Sequence, residues 1–457
     1  MLPEKFKSRM ALLLKDEYED FIRTLETENE VKGLRINTLK LPVYDNASFS
    51  RFDITRLSYA KDGYLIKNAL GVGHTPEHHA GIFYMQDPGA MASLSALDIK
   101  PGWRVLDTCA APGGKSGQAA ALIGEDGFLF SNEFVPKRAK ILVSNFERLG
   151  IKNAVVSSLD TSELSKMYDR FFDLVIVDAP CSGEGMFRKT DAAISEWSEE
   201  NVALCQKRQT EILENSFNTV RGGGYLLYST CTYSLEENEM VIDGFLSRHS
   251  DFSLCEVKEE LRRVSADGIQ FEGAFCKDLA KSRRFYPHVS EGEGQFVALL
   301  KRDEVGDGGV LYKDAMKEAS REETAAVLDF FKKNLTKAPN GKIKKYGENL
   351  VLISHGVPLS NKSIFSSGVL LGEVRQKILF PSHQFFSAYG SLFIRRLELS
   401  FDRERLYAYL SGMQIDAPGL ENGFCVVTYM GAVLGGGKIS SGRLNNHYPK
   451  GLREKLN

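Results

Sequence analysis

Residues Val105–Lys115 read VLDTCAAPGGK, in which a short apolar segment runs into a turn with two adjacent glycines. Adjacent glycines allow a tight turn and let a ligand come close to the backbone. A helix that begins after them offers free backbone N–H groups to an anion, and Lys115 adds a positive charge. The stretch therefore predicts a cofactor site at the edge of an α/β sheet.

Outward from this stretch, residues 91–302 repeat the order strand, loop and helix that is typical of a doubly wound α/β sheet. The apolar runs predict strands at 103–108, 128–132, 154–158, 172–178, 224–230 and 295–301, the last of them beside the sheet edge. Helices are predicted near 114–123, 136–149, 198–219 and 235–248.

The turn after the first strand has neither a GxGxxG fingerprint nor the first glycine of a P-loop, which disfavours nucleotide hydrolysis. S-adenosylmethionine suits it better, because this cofactor has a carboxylate and a nucleoside but no phosphate. Glu133 follows the second strand, where a carboxylate can accept both ribose hydroxyls, and Asp160 follows the third, within reach of an adenine amino group. Either acid alone reads as an ordinary loop residue, but their positions at successive strand ends favour a nucleoside site.

Two further predicted strands end in cysteines. Cys181 follows the strand at 172–178, and Cys231 follows the strand at 224–230. Because α/β proteins place their chemistry at strand ends, two thiols there predict a nucleophilic enzyme. Cys109 is expected to be a buried small residue that serves the cofactor only through its backbone. The remaining cysteines are read as structural: Cys205, Cys255, Cys276 and Cys425.

The chain has 457 residues, enough for more than one domain. Residues 1–90 are expected to form an α+β module, 91–302 the catalytic domain, 303–380 a connecting module that opens with a glycine-rich linker at 303–310, and 381–457 a small β-rich module. The first module should begin with an amphipathic helix and continue with a strand at 33–40. The helix is inferred from apolar residues at helical spacing, namely Phe6, Met10, Leu13, Leu14, Tyr18 and Phe21.

Composition restricts the class of protein. The formal net charge is −2, but residues 310–457 hold 21 Lys+Arg against 13 Asp+Glu, a local balance of +8. This part could face a polyanion or be an ordinary solvated face. Seven scattered cysteines with no CxxC pair and no Cys/His cluster predict reduced thiols and no metal site. A soluble cytoplasmic protein is expected, since there is neither a signal peptide nor a membrane-spanning apolar run.

Three motifs in this order resemble one known family, the RNA cytosine-5 methyltransferases of the Nol1/Nop2/Sun group. They are DTCAAPGGK at 107–115, DAPCSG at 178–183 and STCT at 229–232, and the resemblance covers about 91–302. Flanking segments at 34–38, 380–383 and 438–453 resemble the N-terminal module and the PUA-like C-terminal module of the bacterial RsmF/YebU type. That type methylates cytosine in the decoding region of 16S ribosomal RNA.

The resemblance implies a Rossmann-like methyltransferase core that binds S-adenosylmethionine. It implies cofactor contacts for Cys109, Ala110, Ala111, Pro112, Gly113, Gly114, Lys115, Glu133, Asp160 and Asp178. Cys231 would be the nucleophile, and Cys181 would assist product release. Asp178, with a pKa raised by burial, would hydrogen-bond or protonate the base, while Lys115 would orient the base or Asp178.

The target base must leave its stack to reach a thiol, so aromatic and arginine side chains are expected to stack on it or its neighbours. The candidates are Phe187, Arg188, Arg283, Arg284 and Tyr286, of which Phe187 and Tyr286 could equally be core residues. The flanking modules and the basic C-terminal part are expected to contact phosphates.

The leading hypothesis is cytosine-5 methylation of 16S ribosomal RNA by a monomer that acts on the 30S subunit or on free RNA. Two alternatives remain open, namely the same chemistry on transfer RNA and a non-catalytic RNA-binding assembly factor that kept the cofactor fold. The sequence does not identify the cytosine that is modified. Because the decoding region lies near the aminoglycoside site, we also hypothesise an effect on susceptibility to these drugs.

Overall fold

The computed structural model describes residues 1–27, 29–44, 49–306, 308–360 and 363–454, and within these residues the strands form five sheets. The largest sheet has ten strands and carries the residues that the sequence motifs single out. Smaller sheets flank it on its N-terminal and C-terminal sides. In this part of the chain no helix has the length and apolar character needed to cross a membrane.

The chain begins with two helices and a four-stranded antiparallel sheet. The elements are α1 (Glu4–Leu14), α2 (Tyr18–Thr27), β1 (Gly33–Ile36), β2 (Asp53–Arg56), β3 (Gly63–Lys67), α3 (Pro76–His79) and β4 (Phe83–Met85), with the strand order β2-β3-β1-β4. The single amphipathic helix that we expected is divided at Lys15, whose φ of 49° interrupts the helix. The strand expected at 33–40 ends early because the Asn37 side chain accepts the N–H of Leu39 and turns the chain.

The hairpin of α1 and α2 packs on loops of the ten-stranded sheet. Phe6 and Phe21, one on each helix, are fully buried. Phe6 packs edge-on against Phe187, and Phe21 edge-on against Tyr233, both with ring centroids 5.0 Å apart. Phe187 and Tyr233 belong to the loops that carry the two candidate thiols, so the hairpin supports those loops from outside the catalytic part.

The ten-stranded sheet confirms the doubly wound core, with the ends of elements shifted by up to four residues from those expected. Its part of the chain contains α4 (Pro88–Ser95), β5 (Arg104–Asp107), α5 (Gly114–Ile123), β6 (Phe128–Asn132), α6 (Pro136–Leu149), β7 (Ala154–Ser157), α7 (Thr161–Met167), β8 (Tyr168–Asp169), β9 (Phe172–Asp178), α8 (Asp191–Glu196), α9 (Glu199–Ser216), β10 (Val220–Thr230), α10 (Glu239–Arg248), β11 (Phe252–Cys255), α11 (Glu259–Arg262), β12 (Ala266–Asp267), β13 (Arg283–Phe285) and β14 (Gln295–Arg302).

Strands β7, β6, β5, β9 and β10 are neighbours in that order and run parallel. Strand β14 pairs antiparallel with β10, and β13 pairs beyond it, so the strand that we expected beside the sheet edge lies inside the sheet. Because parallel strands end at the same edge, the loops that follow the five parallel strands meet there.

Residues after 302 form two further five-stranded sheets. The elements are β15 (Gly309–Val310), β16 (Lys317–Glu318), α12 (Arg321–Asn334), β17 (Lys342–Tyr346), β18 (Asn349–Ile353), β19 (Ile364–Ser367), β20 (Val369–Arg375), β21 (Ile378–Pro381), α13 (His383–Tyr389), β22 (Arg396–Glu398), α14 (Arg403–Leu410), β23 (Ile415–Asp416), β24 (Gly423–Tyr429), β25 (Ala432–Ser440) and β26 (Arg443–Asn446). The orders are β16-β17-β18-β20-β21 and β22-β24-β25-β26-β23.

Two strands of the connecting part, β15 and β19, lie outside the two five-stranded sheets and pair with strands of the catalytic part. Strand β19 pairs antiparallel with β7 and so extends the catalytic sheet. Strand β15 pairs with β8, so the expected linker at 303–310 is partly ordered as a strand, and its residue 307 lies outside the described residues. Residues 455–457 of the expected terminal module also lie outside them. The division of the chain at 90, 302 and 380 remains a prediction.

The N-terminal and C-terminal sheets share one apolar core. Leu34 on β1 and Val427 on β24 belong to the same cluster of buried side chains. Lys40 adds a polar connection, because its ammonium donates to the carbonyl and to the hydroxyl of Ser387, each at 2.8 Å. The two flanking parts therefore contact each other as well as the catalytic sheet.

Replacing Phe21 by alanine is expected to lower the free energy of unfolding by about 3–5 kcal/mol, because the ring is fully buried and its loss leaves a cavity. Leu12→Ala is the matched control on the same hairpin, since Leu12 is 80 % exposed. It should change the free energy by less than about 0.5 kcal/mol. Urea unfolding followed by tryptophan fluorescence measures both variants; one of the two tryptophans, Trp197, belongs to the same apolar cluster as Phe21. Equal effects would contradict the packing role of Phe21.

Candidate active site

The residues that the motifs single out lie in a row along one edge of the ten-stranded sheet. Strands β9 and β10 are adjacent in a register that sets Asp178 opposite Ser229. Strand β5 lies beside β9, and Asp107 is opposite Ile176. The loops after β9 and β10 carry the two thiols, whereas the loops after β5, β6 and β7 carry the expected cofactor residues. These two halves of the site meet between β5 and β9.

Cys181 and Cys231 are in contact, with their sulfur atoms 3.2 Å apart. Both thiols are partly buried. The hydrogen bond with Cys231, together with burial, raises the pKa of Cys181 well above its usual range. Cys181 is therefore protonated at neutral pH and is the natural donor of the pair. The arrangement places a nucleophile candidate and a thiol acid side by side.

Two buried glutamates that the sequence analysis missed join the loops that carry the thiols. Glu237 accepts the backbone N–H of Ser182 at 2.9 Å, and Glu184 accepts the hydroxyl of Thr232 at 2.8 Å. Both side chains are completely buried, and burial raises the pKa of Glu237 to about 7. The run EENE at 236–239 is typical of a solvated helix start, so no local signal distinguishes Glu237 from its neighbours.

Lys115 connects the cofactor half of the site to the thiol half. Its ammonium lies 2.8 Å from Oδ2 of Asp178, and only 8 % of the Lys115 side chain is exposed. The hydroxyl of Ser229 donates to Oδ1 of Asp178 at 2.7 Å. Asp178 itself is 33 % exposed, so the burial that we expected for this carboxylate is only partial. Both of its oxygens are nevertheless held by donors at the sheet edge.

The glycine turn is shaped for the close approach of a ligand. Gly113 has a φ of 116°, a backbone conformation that favours glycine. The carbonyls of the turn are fixed from α6: Arg138 donates to Ala111 at 2.7 Å, and Asn145 donates to Pro112 at 2.8 Å. Because the first N–H groups of a helix have no partner within it, the start of α5 can receive a carboxylate.

Asp107, at the end of β5, is a further candidate, to which the sequence motifs alone assign no role. Its side chain is 1 % exposed, and Oδ2 accepts the hydroxyl of Ser116 at 2.7 Å. Its other oxygen, Oδ1, is buried and has no hydrogen-bond partner. Burial raises the pKa of Asp107 to about 7. A buried carboxylate with an orphaned oxygen suits a cationic amino group, so the turn and Asp107 together fit the amino-acid end of S-adenosylmethionine.

Glu133 and Asp160 follow β6 and β7, as expected. Glu133 is buried, accepts the N–H of Val135 at 2.9 Å and lies 3.3 Å from Arg138. Asp160 is exposed and caps α7, because it accepts the N–H of Ser162 at 2.9 Å. Each carboxylate retains lone pairs for further donors. Their assignment to the ribose and the adenine stays a prediction.

The other cysteines lack the thiolate that a nucleophile needs. Burial raises the pKa of Cys109 and of Cys425 to about 12, and that of Cys205 to about 11. Burial also raises the pKa values of Cys255 and Cys276. Burial therefore disfavours the thiolate form in all five of these thiols. Across the described part of the chain, no group of three His, Cys, Asp or Glu side chains is placed to hold a metal ion.

All five side chains that were candidates for stacking on the RNA are buried. The stacking prediction is therefore wrong for the three arginines, and for Phe187 and Tyr286 the alternative of core packing is correct. Phe187 and Tyr286 pack in the apolar cluster beneath the N-terminal hairpin. The arginines are bound to carboxylates instead: Arg188 to Glu293, Arg283 to Asp267 and Arg284 to Glu239. Most of these carboxylates are remote in the sequence, so the residue types alone could not identify the pairs.

Replacing Cys231 by alanine is expected to increase the rate at which iodoacetamide alkylates Cys181 at pH 8. The substitution removes the hydrogen bond that contributes most to the raised pKa of Cys181, so more of this thiol is ionised. Peptide mass spectrometry of the free protein measures the rate. Cys205→Ala is the control, since Cys205 forms its hydrogen bond with Asn201 and should leave the rate unchanged. An unchanged rate in Cys231→Ala would contradict the coupling of the two thiols.

Three family models match successive parts of the chain. Residues 94–301 match the 16S rRNA methyltransferase RsmB/F family, residues 2–88 match the N-terminal domain of 16S rRNA methyltransferase RsmF, and residues 396–454 match the methyltransferase RsmF PUA domain. These matches fall on the N-terminal sheet, the ten-stranded sheet and the C-terminal sheet described above. They confirm the expected Rossmann-like methyltransferase core and the PUA-like terminal module.

Full-length relatives agree with these matches. The ribosomal RNA small subunit methyltransferase F of Klebsiella pneumoniae (strain 342) is 31 % identical, and the alignment covers 98 % of this chain and 96 % of that protein. The protein of the same name from Vibrio cholerae serotype O1 (strain M66-2) is 30 % identical, with 99 % and 97 % covered. A solved methyltransferase homologue from Pyrococcus horikoshii has a TM-score of 0.56 at 27 % identity over 66 % of this chain and 95 % of its own. The chain belongs to the 16S rRNA methyltransferase RsmB/F family.

Proposed function

We propose that this chain methylates carbon 5 of a cytosine in 16S ribosomal RNA and that Cys231 forms a covalent adduct with the base. The relatives support methylation of small-subunit ribosomal RNA with S-adenosylmethionine as the cofactor. The observation that carries the finer assignment is the contact of two thiols, 3.2 Å apart, at the edge that also holds Asp178. Methylation of an amine would need no thiol.

The cofactor would be held by the glycine turn at 109–115 with the orphaned oxygen of Asp107, and by Glu133, Asp160 and Asp178. Bound there, S-adenosylmethionine supplies an electrophilic methyl group. The ammonium of Lys115 lies 2.8 Å from Oδ2 of Asp178, so it restrains the carboxylate at the end of the strand that leads to Cys181. The chain thus positions cofactor and base from neighbouring strand ends.

Carbon 5 of cytosine is a weak nucleophile because the ring is electron-poor. The thiolate of Cys231 adds to carbon 6, which moves the electron pair of the 5,6 double bond onto carbon 5 and makes it nucleophilic. Asp178 passes a proton from the ammonium of Lys115 to the nitrogen 3 side of the ring, which neutralises the negative charge that develops there. After methylation a base removes the proton from carbon 5, the double bond re-forms, and Cys231 leaves; Cys181, which is protonated, returns a proton to the departing sulfur.

RNA recognition is assigned to the flanking parts, because the five stacking candidates are buried. The PUA domain at 396–454 and the N-terminal sheet share a core, so they can bind one RNA together. The excess of basic residues in 310–457 suits contacts with phosphates. We infer that a monomer in the cytoplasm acts on the 30S subunit, and we retain the modules 1–90, 91–302, 303–380 and 381–457 as part of this proposal.

The substrate is tested by incubating the protein with purified 30S subunits and S-adenosylmethionine that carries a tritiated methyl group, followed by nucleoside analysis of the 16S RNA. A labelled 5-methylcytidine peak is the expected result. Transfer RNA and free 16S RNA are the parallel substrates. Label in transfer RNA alone would overturn the substrate assignment and keep the chemistry. The absence of label in every RNA would favour a non-catalytic assembly factor.

Substitutions of the two cysteines should impair the reaction at different steps. Cys231→Ser is expected to lower the rate at least about a thousandfold, because no adduct forms. Cys181→Ala is expected to form the adduct and release it slowly, which denaturing gel electrophoresis detects as a shifted enzyme–RNA band. Cys255→Ala is the control, since this partly buried cysteine lies on β11, which pairs with β14 and not with the strands that lead to the two thiols. Loss of activity without a shifted band in both variants would contradict the division of roles.

A further inference from the structure

Glu237 occupies a position in which one carboxylate contacts both thiol loops. Its Oε2 accepts the backbone N–H of Ser182 at 2.9 Å and the amide of Gln209 at 2.7 Å. Its Oε1 accepts the hydroxyl of Ser182 and lies 3.4 Å from the hydroxyl oxygen of Thr232, which donates its hydrogen to Glu184 at 2.8 Å. Glu237 is completely buried, and the hydroxyl of Tyr228 donates to its backbone carbonyl at 2.6 Å.

The residues that Glu237 binds are the immediate neighbours of the two cysteines. Ser182 follows Cys181, and Thr232 follows Cys231. The hydroxyl oxygens of Ser182 and Thr232 are in contact, 2.8 Å apart. Each of these two residues is joined to its cysteine by a single peptide bond. A side chain that holds both of them in place therefore restrains the separation of the two sulfur atoms.

We propose that Glu237 is a positioning residue that holds Cys231 and Cys181 in the contact needed for adduct formation and release. The catalytic part of this inference rests on the proposed function, because adduct formation and release are steps of that reaction. The other buried glutamate, Glu184, accepts hydrogen bonds from Thr232, Ser234 and Trp197, and within the described residues it has no hydrogen bond to Ser182. Glu237 alone among the described carboxylates contacts the residues that directly follow both cysteines.

The test compares three substitutions at this position with a neighbouring control. Glu237→Gln keeps the length of the side chain, and its amide can still accept from the Ser182 N–H while it donates to the two hydroxyls. Glu237→Asp keeps the charge but withdraws the carboxylate, and Glu237→Ala removes every contact. Glu236→Asp is the control, since Glu236 is 34 % exposed and pairs with Arg9 on the surface.

Glu237→Ala is expected to lower kcat about a hundredfold, the cost of a small misplacement of reacting groups, while the KM for S-adenosylmethionine changes less than about twofold. Glu237→Gln should recover a substantial part of this loss, and Glu237→Asp should recover less. Alkylation of Cys181 in the free protein should become faster in Glu237→Ala and Glu237→Asp, and remain unchanged in Glu236→Asp. Rates are normalised to the fraction that binds S-adenosylmethionine, so that loss of folded protein is removed from the comparison.

The proposal would be overturned if Glu237→Asp and Glu237→Gln both had the wild-type kcat and the wild-type alkylation rate of Cys181. It would also be overturned if both variants lost the same fraction of kcat while the alkylation rate of Cys181 stayed unchanged. If Glu237→Ala does not fold, the ranking of the Gln and Asp variants decides in its place. The alkylation measurement needs no RNA. Failure of the wild-type protein to modify cytosine would therefore refute the proposed function, whereas the alkylation rates still test the positioning role.

Discussion

The parallel pairing of β9 with β10, in a register that sets Asp178 opposite Ser229, is the constraint on which the site depends. Backbone hydrogen bonds fix this register, and a slip by one residue would move every side chain to the opposite face. With the register fixed, the loops after the two strands begin side by side and their thiols meet. Neighbouring β5 then brings Lys115 to Asp178, which connects the two halves of the site.

Strand register alone does not hold irregular loops in place, and buried polar groups supply the remaining restraint. Glu184 and Glu237 satisfy donors from both loops, so neither loop can move without leaving a buried hydrogen-bonding group unpaired. Outside this network, Phe6 and Phe21 pack on the same loops. The thiol pair is therefore restrained by the sheet, by two buried carboxylates and by the hairpin of α1 and α2 near the start of the chain.

Local patterns predicted the elements well and their boundaries less well. Apolar runs located β5, β6, β7 and β9 almost to the residue, because buried parallel strands are continuously apolar. Strand β10 begins at Val220, four residues earlier than expected. The glycines that follow Val220 leave room for the chain near Val305 to pack against the strand, since a Cβ on Gly222 would meet the backbone of Val305. Helix α10 begins later than expected because the amide of Asn238 donates to the carbonyl of Thr232.

The sequence by itself determined the α/β core, the glycine turn, the acids at the strand ends and the positions of both thiols, because each depends on residues that are close together in the chain. Only the tertiary structure decided which polar side chains are buried and which partners they have. It buried Arg284 against Glu239, left Oδ1 of Asp107 without a partner, and placed Glu237 between the thiol loops. Burial and pairing depend on segments that are distant in the chain and meet only on folding, and residue type does not encode that distance.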